Sequence, residues 1–221
     1  MRTNLLTEVR QALGNAVPPS LTAWSKGYDL YEAYVFTLVL RAAQTTGFAV
    51  TYENRDGSVP TTFTFPTGPG EISSGNYSHA ILTISDKPQL EAHVGIYISG
   101  VSKVPHEADV SVIMRDEAIF CRAVTPTVLP RYSSVILAAE CKLYESSGIG
   151  ISTGRGFMGL SKEFAGRPGF FVMSREAARV KALLAHHGVR WGAAIIPGSQ
   201  PNVNRLIASF ESVFEDYKAR R

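Results

Sequence analysis

Val135-Ile136-Leu137-Ala138-Ala139-Glu140-Cys141-Lys142-Leu143 reads as a buried strand that nevertheless carries two charges. It is short, apolar and free of Gly and Pro, and it opens on β-branched residues. A core strand holds a carboxylate and an ammonium only where both find partners, because desolvating either one is costly. Side chains alternate along a strand, so Glu140 and Lys142 share one face while Ala139, Cys141 and Leu143 take the other. Upstream, Ala108-Asp109-Val110-Ser111-Val112-Ile113-Met114 is a second apolar run with an acid near its start. The two runs together raise the question of whether Asp109, Glu140 and Lys142 converge.

Working outward, Leu90 to Ser99 reads as a strand preceding the Asp109 run, and 117–132 as a mixed connection containing Pro126 and Pro130. Before them, 3–14 is a short helix ending at Gly14. From about Ala23 to Thr45, Leu30, Ala33, Tyr34, Thr37, Leu38 and Arg41 recur at helical spacing, with Gly47 as the stop. Glu32 lies in the first third of this helix, where the macrodipole already favours an acid. Phe48–Tyr52 and Thr61–Phe65 read as strands joined through the turn signal Asn54-Arg55-Asp56-Gly57. Residues 48–88 are therefore expected to be a hairpin elaboration inserted into the domain, with Tyr77 to Ser85 as a further strand. After residue 143 the pattern alternates: a helix from Gly154, a strand at Gly169–Met173, and a helix to His187 capped by Ser174 and ended by Gly188. A strand at Trp191–Ile196 and a last helix from about Asn202 to Lys218 follow. The expectation is one α/β domain over 1–221, layered around a mixed sheet, with its core at 23–47 and 89–221.

Composition is that of an ordinary globular protein, with 45% hydrophobic and 19% charged residues. The N-terminal ten residues lack the apolar centre of a signal peptide, and the longest apolar stretch, Ala33 to Leu40, is far too short to span a bilayer. Two cysteines, Cys121 and Cys141, suggest neither a disulfide framework nor a zinc site. A cytoplasmic protein without membrane attachment is expected. Net charge is only +3, but it is unevenly placed: residues 151–221 hold 11 Lys/Arg against 5 Asp/Glu. A basic C-terminal third beside an acidic site suits a polyanion bound through its phosphates; a solvated helix surface is the plainer alternative.

The acid-x-Lys triplet has little specificity alone, for it recurs as Asp216-Tyr217-Lys218 in a polar helix tail. Its setting gives it meaning. Two carboxylates on adjacent strands form a hard-oxygen site for a cation such as Mg²⁺, which takes remaining ligands from water and substrate phosphate. A lysine on the same face can hold a water and balance charge growing on the phosphate. In the order of its elements over roughly residues 28–196, and in Asp109 followed by Glu140-Cys141-Lys142, the chain resembles the PD-(D/E)xK nuclease superfamily, the restriction-endonuclease-like fold. Glu32 matches the additional acid that many members place on the first core helix. The chain departs from the pattern in having Ala108 rather than Pro before Asp109, in a long step from Asp109 to Glu140, and in a further acid at Glu107.

The resemblance implies a restriction-endonuclease-like three-layer α/β sandwich. It also implies a Mg²⁺-dependent endonuclease, with Mn²⁺ as a substitute. Asp109, Glu140 and Lys142 would be catalytic, and Glu32, Asp109 and Glu140 would hold the metal. Nucleic acid, DNA in preference to RNA, is the expected partner, in restriction, repair or anti-phage defence, and as a homodimer or within a larger defence complex. Arg155 and Lys162, near the glycines at 148–159, are candidate phosphate contacts, since amides at a helix N-terminus also attract phosphate. His106, three residues before Asp109, is a candidate general base or a loop histidine without a task. Trp24, Tyr132 and Tyr144 could stack on bases, with core packing as the ordinary alternative. Two other readings remain: a non-catalytic binding or assembly module on the same fold, and a hydrolase acting on a different phosphoester.

Overall fold

The structure, a computed structural model, describes residues 1–144 and 148–220. Residue 221, the end of the span expected as one domain, lies outside them. Seven strands form one open mixed sheet in sequence order: β1 (Ala49–Asn54), β2 (Ser78–Thr83), β3 (Leu90–Ser99), β4 (Pro105–Met114), β5 (Val135–Lys142), β6 (Gly169–Met173) and β7 (Arg190–Gly192). The first five strands pair antiparallel, and β5, β6 and β7 pair parallel. The change falls at β5 for a covalent reason. Antiparallel neighbours need only turns, whereas a parallel pair needs a crossover, and helices α4 (Ile151–Glu163) and α5 (Ala178–His186) supply the two crossovers.

Helices cover both faces. On one, α1 (Arg2–Leu13), α2 (Gly27–Thr45) and α6 (Gln200–Ala219) bury the main core, in which Leu30, Phe36 and Phe210 meet Val112, Leu137 and Phe170 from the sheet. On the other, α3 (Arg115–Ala123), α4 and α5 pack over Ile98, Ile113, Phe171 and Met173. Phe170 and Phe171 thus enter different cores, as strand alternation requires. The α/β layering expected from the sequence is present. No helix among the described residues is long and apolar enough to cross a membrane.

Several expected elements differ. The hairpin between Phe48–Tyr52 and Thr61–Phe65 does not form, and residues 48–88 are not set apart from the sheet: β1 pairs with β2, and both continue the central sheet. The alternation of Thr62, Phe63, Thr64 and Phe65 is satisfied without a ladder, because Phe63 and Phe65 are buried against Phe36 while their backbone bonds go elsewhere. The Phe63 N–H donates to the Pro18 carbonyl, and the Phe65 N–H to Ser20 Oγ. The turn at 54–57 does form, with Gly57 at φ +88°. Ser174 does not cap α5, which begins at Ala178; its hydroxyl instead accepts the Tyr144 N–H. The glycines at 154, 156 and 159 lie inside α4, which starts three residues earlier than expected. At Gly154 the reason is close packing: an added Cβ would come within 3.0 Å of Val180 on α5.

Candidate functional site

The ladder between β3 and β4 pairs Val94 with Val110 and Ile96 with Ala108, passing over Gly95 and Asp109. Gly95 has φ +61°, a conformation that suits glycine and breaks the regular alternation. On its other side β4 stays paired with β5 only as far as Val110–Ala139. Beyond that point the two strands part, and Asp109 bridges the gap: its Oδ2 accepts the Cys141 N–H at 2.6 Å. A side chain thus takes the amide that a continued ladder would have used. The Lys142 ammonium sits 2.5 Å from Glu140 Oε1 and 3.8 Å from Asp109 Oδ2, between the two carboxylates. Asp109 is buried, and Glu140 and Lys142 are half-buried, which meets the condition set by their strand.

Glu32 reaches the same site from α2. Burial is the main cause lifting its pKa to about 9, and repulsion from Asp109 and then Glu107 and Asp29 adds to it. Asp109 is raised to about 7, chiefly by burial and then by Glu140, with Lys142 and the Cys141 N–H pulling the other way. Burial alone would lower the Lys142 pKa, but Asp109 and Glu140 carry it up to about 12, so the ammonium stays charged. Glu107 is also raised, by burial and by Glu140. The acids outnumber the one cation among them, and all their donors are hard oxygens. A divalent cation fits such a set, since it would relieve the repulsion that now favours protons. Tyr31, a residue before Glu32, is wholly buried, and burial and the neighbouring Cys141 raise its hydroxyl well above the ordinary value.

Asp109, Glu140 and Lys142 therefore meet, and Glu32 on α2 lies near enough for Asp109 and Lys142 to influence its charge. Comparisons with protein-family models, curated proteins and solved structures return no match. The site's own geometry carries the functional reading.

Other candidates are placed elsewhere. His106 turns away from the acids toward α4, with Nε2 3.4 Å from Glu163 Oε2. Glu163 in turn accepts hydrogen bonds from the Ser102 N–H and hydroxyl, so the pair fastens the β3–β4 turn to α4. Arg155 and Lys162 are both on α4, but at different ends. As a crossover helix, α4 begins beside the C-terminal end of β5 and returns to the opposite edge. Arg155 is thus toward the site's end of the helix. Lys162 lines a cleft with Arg167, His187 and Arg190 by the starts of β6 and β7. Tyr144 is partly buried, its hydroxyl 3.4 Å from Thr153 Oγ1, and Tyr132 packs against the second core.

A second polar group, unforeseen in the sequence, lies on β2 and β3. His79, Glu91 and His93 are buried, and their ligand atoms lie within 4.8 Å of one another, so the group could hold a metal ion. Its carboxylate is already engaged: Arg122 on α3 donates to both Glu91 oxygens at 2.7 Å, and Arg115 lies 3.3 Å away. His93 Nε2 is 3.0 Å from Glu91 Oε2. Burial is the largest influence on Glu91 and would raise its pKa, yet hydrogen bonds from Arg122 and the histidines hold it far below the carboxylate range. Burial lowers His93 to about 4, leaving it neutral at pH 7. The signal was legible: Glu91-Ala92-His93 puts two polar groups on one face of an apolar strand, the same anomaly as Glu140-Cys141-Lys142.

Proposed function

We propose that the protein is a metal-dependent endonuclease of the PD-(D/E)xK type, acting on nucleic-acid phosphodiesters, with DNA favoured. The observation that carries this reading is the meeting of Asp109, Glu140 and Lys142 where β4 and β5 part, with Glu32 reaching in from α2. Asp109, Glu140 and Glu32 would hold Mg²⁺, or Mn²⁺ in its place. When bound, the cation supplies a polarised water and stabilises charge developing on the phosphate. Asp109 is positioned for this by its bond from Cys141 N, which fixes one oxygen and leaves the other free as a ligand. Lys142 stays cationic. Released from Glu140, it donates to the attacking water or to a phosphate oxygen, orienting in-line attack and offsetting the added negative charge. A 5′-phosphate product is the outcome the resemblance implies. A role in restriction, repair or anti-phage defence, a cytoplasmic setting and a homodimer or larger defence complex belong to the same proposal.

The test is cleavage of plasmid and of DNA and RNA oligonucleotides with Mg²⁺ or Mn²⁺, with Lys142→Ala and Asp109→Ala alongside. Each variant is expected to lose activity by about a hundredfold or more. Equal activity in the wild type and both variants would remove the assignment. A binding module on the same fold would instead bind nucleic acid and cleave none.

A further inference from the structure

Trp24 is 93% exposed, and Tyr28, at the start of α2, is 48% exposed. Tyr28 stands one helical turn before Glu32, so the two lie on one face of α2. The indole is not on a frayed end. The turn before α2 is tied by the Ser25 N–H donating to the Thr22 carbonyl, the Thr22 N–H to Ser25 Oγ, and the Trp24 N–H to Thr22 Oγ1. Leu21, buried beside it, anchors the segment to the core. An ordered turn therefore presents a large aromatic surface to solvent. Lys26 lies between the two aromatics in sequence, its ammonium 5.3 Å from the Tyr28 ring centre.

We propose that Trp24 and Tyr28 form a stacking platform for unpaired bases, so that the substrate of the site is a nucleic acid with a single-stranded segment next to the scissile phosphate. The proposal rests on the nuclease reading and adds the substrate class. Three features favour nucleic acid over a protein partner. Tyr28 stands one turn from Glu32 of a site whose chemistry suits a phosphate, and Trp24 lies in the turn that leads into the same helix. The cation among them complements a polyanion. Their other neighbours, Thr22, Ser25 and Lys26, are polar, so the apolar surface consists of separate rings rather than the contiguous core of a protein interface. Each ring can take one base face, and stacking is tolerant of sequence.

The chain has two tryptophans, and the other, Trp191, is half-buried beside Lys181 on the far edge of the sheet. Titrating a short mixed-sequence single-stranded DNA oligonucleotide into the protein in EDTA, where no cleavage occurs, is expected to quench the emission of Trp24. Trp24→Phe supplies the Trp191 background. Trp24→Ala and Tyr28→Ala are each expected to weaken single-strand binding, measured by anisotropy, about tenfold while leaving blunt duplex binding unchanged. Both residues are solvent-facing, and circular dichroism of each variant, expected to match the wild type, is the control for folding. Unaltered single-strand affinity in both variants overturns the platform even if metal-dependent cleavage persists. Concentration-dependent self-association lost in Trp24→Ala, with no quenching by oligonucleotide, also overturns it and assigns the surface to a second copy. Quenching and the tenfold loss without any cleavage would support stacking while removing the endonuclease reading.

Discussion

At the scale of single residues, the site carboxylates are at odds with folding at neutral pH. Glu32, near pKa 9, and Asp109, near 7, both lie above their unfolded values, so the native state binds more protons than the unfolded one. Their favourable contribution is complete below the unfolded values, near pH 4, and is lost as pH rises through 7 and 9. His93 acts in the opposite sense, its depressed pKa of about 4 costing stability as pH falls below 6.5, so it contributes no slope above pH 7. In EDTA the melting temperature is therefore expected to fall between pH 7 and 9. Glu32→Gln should flatten that fall and raise stability at pH 9. Adding Mg²⁺ should reverse it, with proton release detectable by calorimetry in two buffers of different ionisation enthalpy. A melting temperature independent of pH over this range, unchanged in Glu32→Gln, would mean that the acids are not crowded together.

At the scale of elements, α3 is fastened to the sheet by one buried charge group. Arg122 reaches across to Glu91 on β3, and both carboxylate oxygens are taken. Breaking such a pair by removing one partner leaves the other charge buried without compensation. Arg122→Met is expected to cost about 3–5 kcal/mol in urea unfolding. The comparable pair between α3 Glu117 and Arg131 should matter less, since Arg131 is exposed and already shares its charge with water. A small effect of Arg122→Met would mean that Arg115 and the histidines suffice to stabilise Glu91. These elements also mark what was legible in the chain. The strands over 90–99 and 135–142 could be placed from their apolar runs, and α6 from its stripe of Val203, Leu206, Ile207 and Phe210, because periodicity and burial agree there. The hairpin expected at 48–65 failed because Phe63 and Phe65 satisfied their alternation by burial and their amides by distant partners. Local pattern contains neither fact. The site was legible because its charges break the pattern of two core strands, and the role of Gly95 in freeing Asp109 was not, since only the paired ladder reveals it.

At the scale of the whole molecule, the acids and the cations of the second cleft, Lys162, Arg167 and Arg190, lie at opposite ends of the parallel strands. Lys142 pairs in register with Met173 at the end of β6, whereas Arg167 precedes Gly169 at its start. Six residues of extended chain at about 3.3 Å each separate them by roughly 20 Å. That distance corresponds to about six base-pair steps of B-form duplex at 3.4 Å each. Lys162, Arg167 and Arg190 line the cleft at that far edge; on the proposed nuclease reading they would hold backbone phosphates remote from the cut. Contacts of this kind are independent of sequence and depend on salt, because each one releases counterions. Replacing all three with alanine is expected to weaken binding of long substrates equally across sequences. It should also reduce the slope of log K against log salt by about 2–3, at roughly 0.7–0.9 per phosphate lost. Cleavage at saturating nucleic acid should change little, since none of the three touches the site. An oligonucleotide too short to span the sheet should be indifferent to the triple replacement. An unchanged salt slope on long substrates would return these residues to the role of a solvated helix surface.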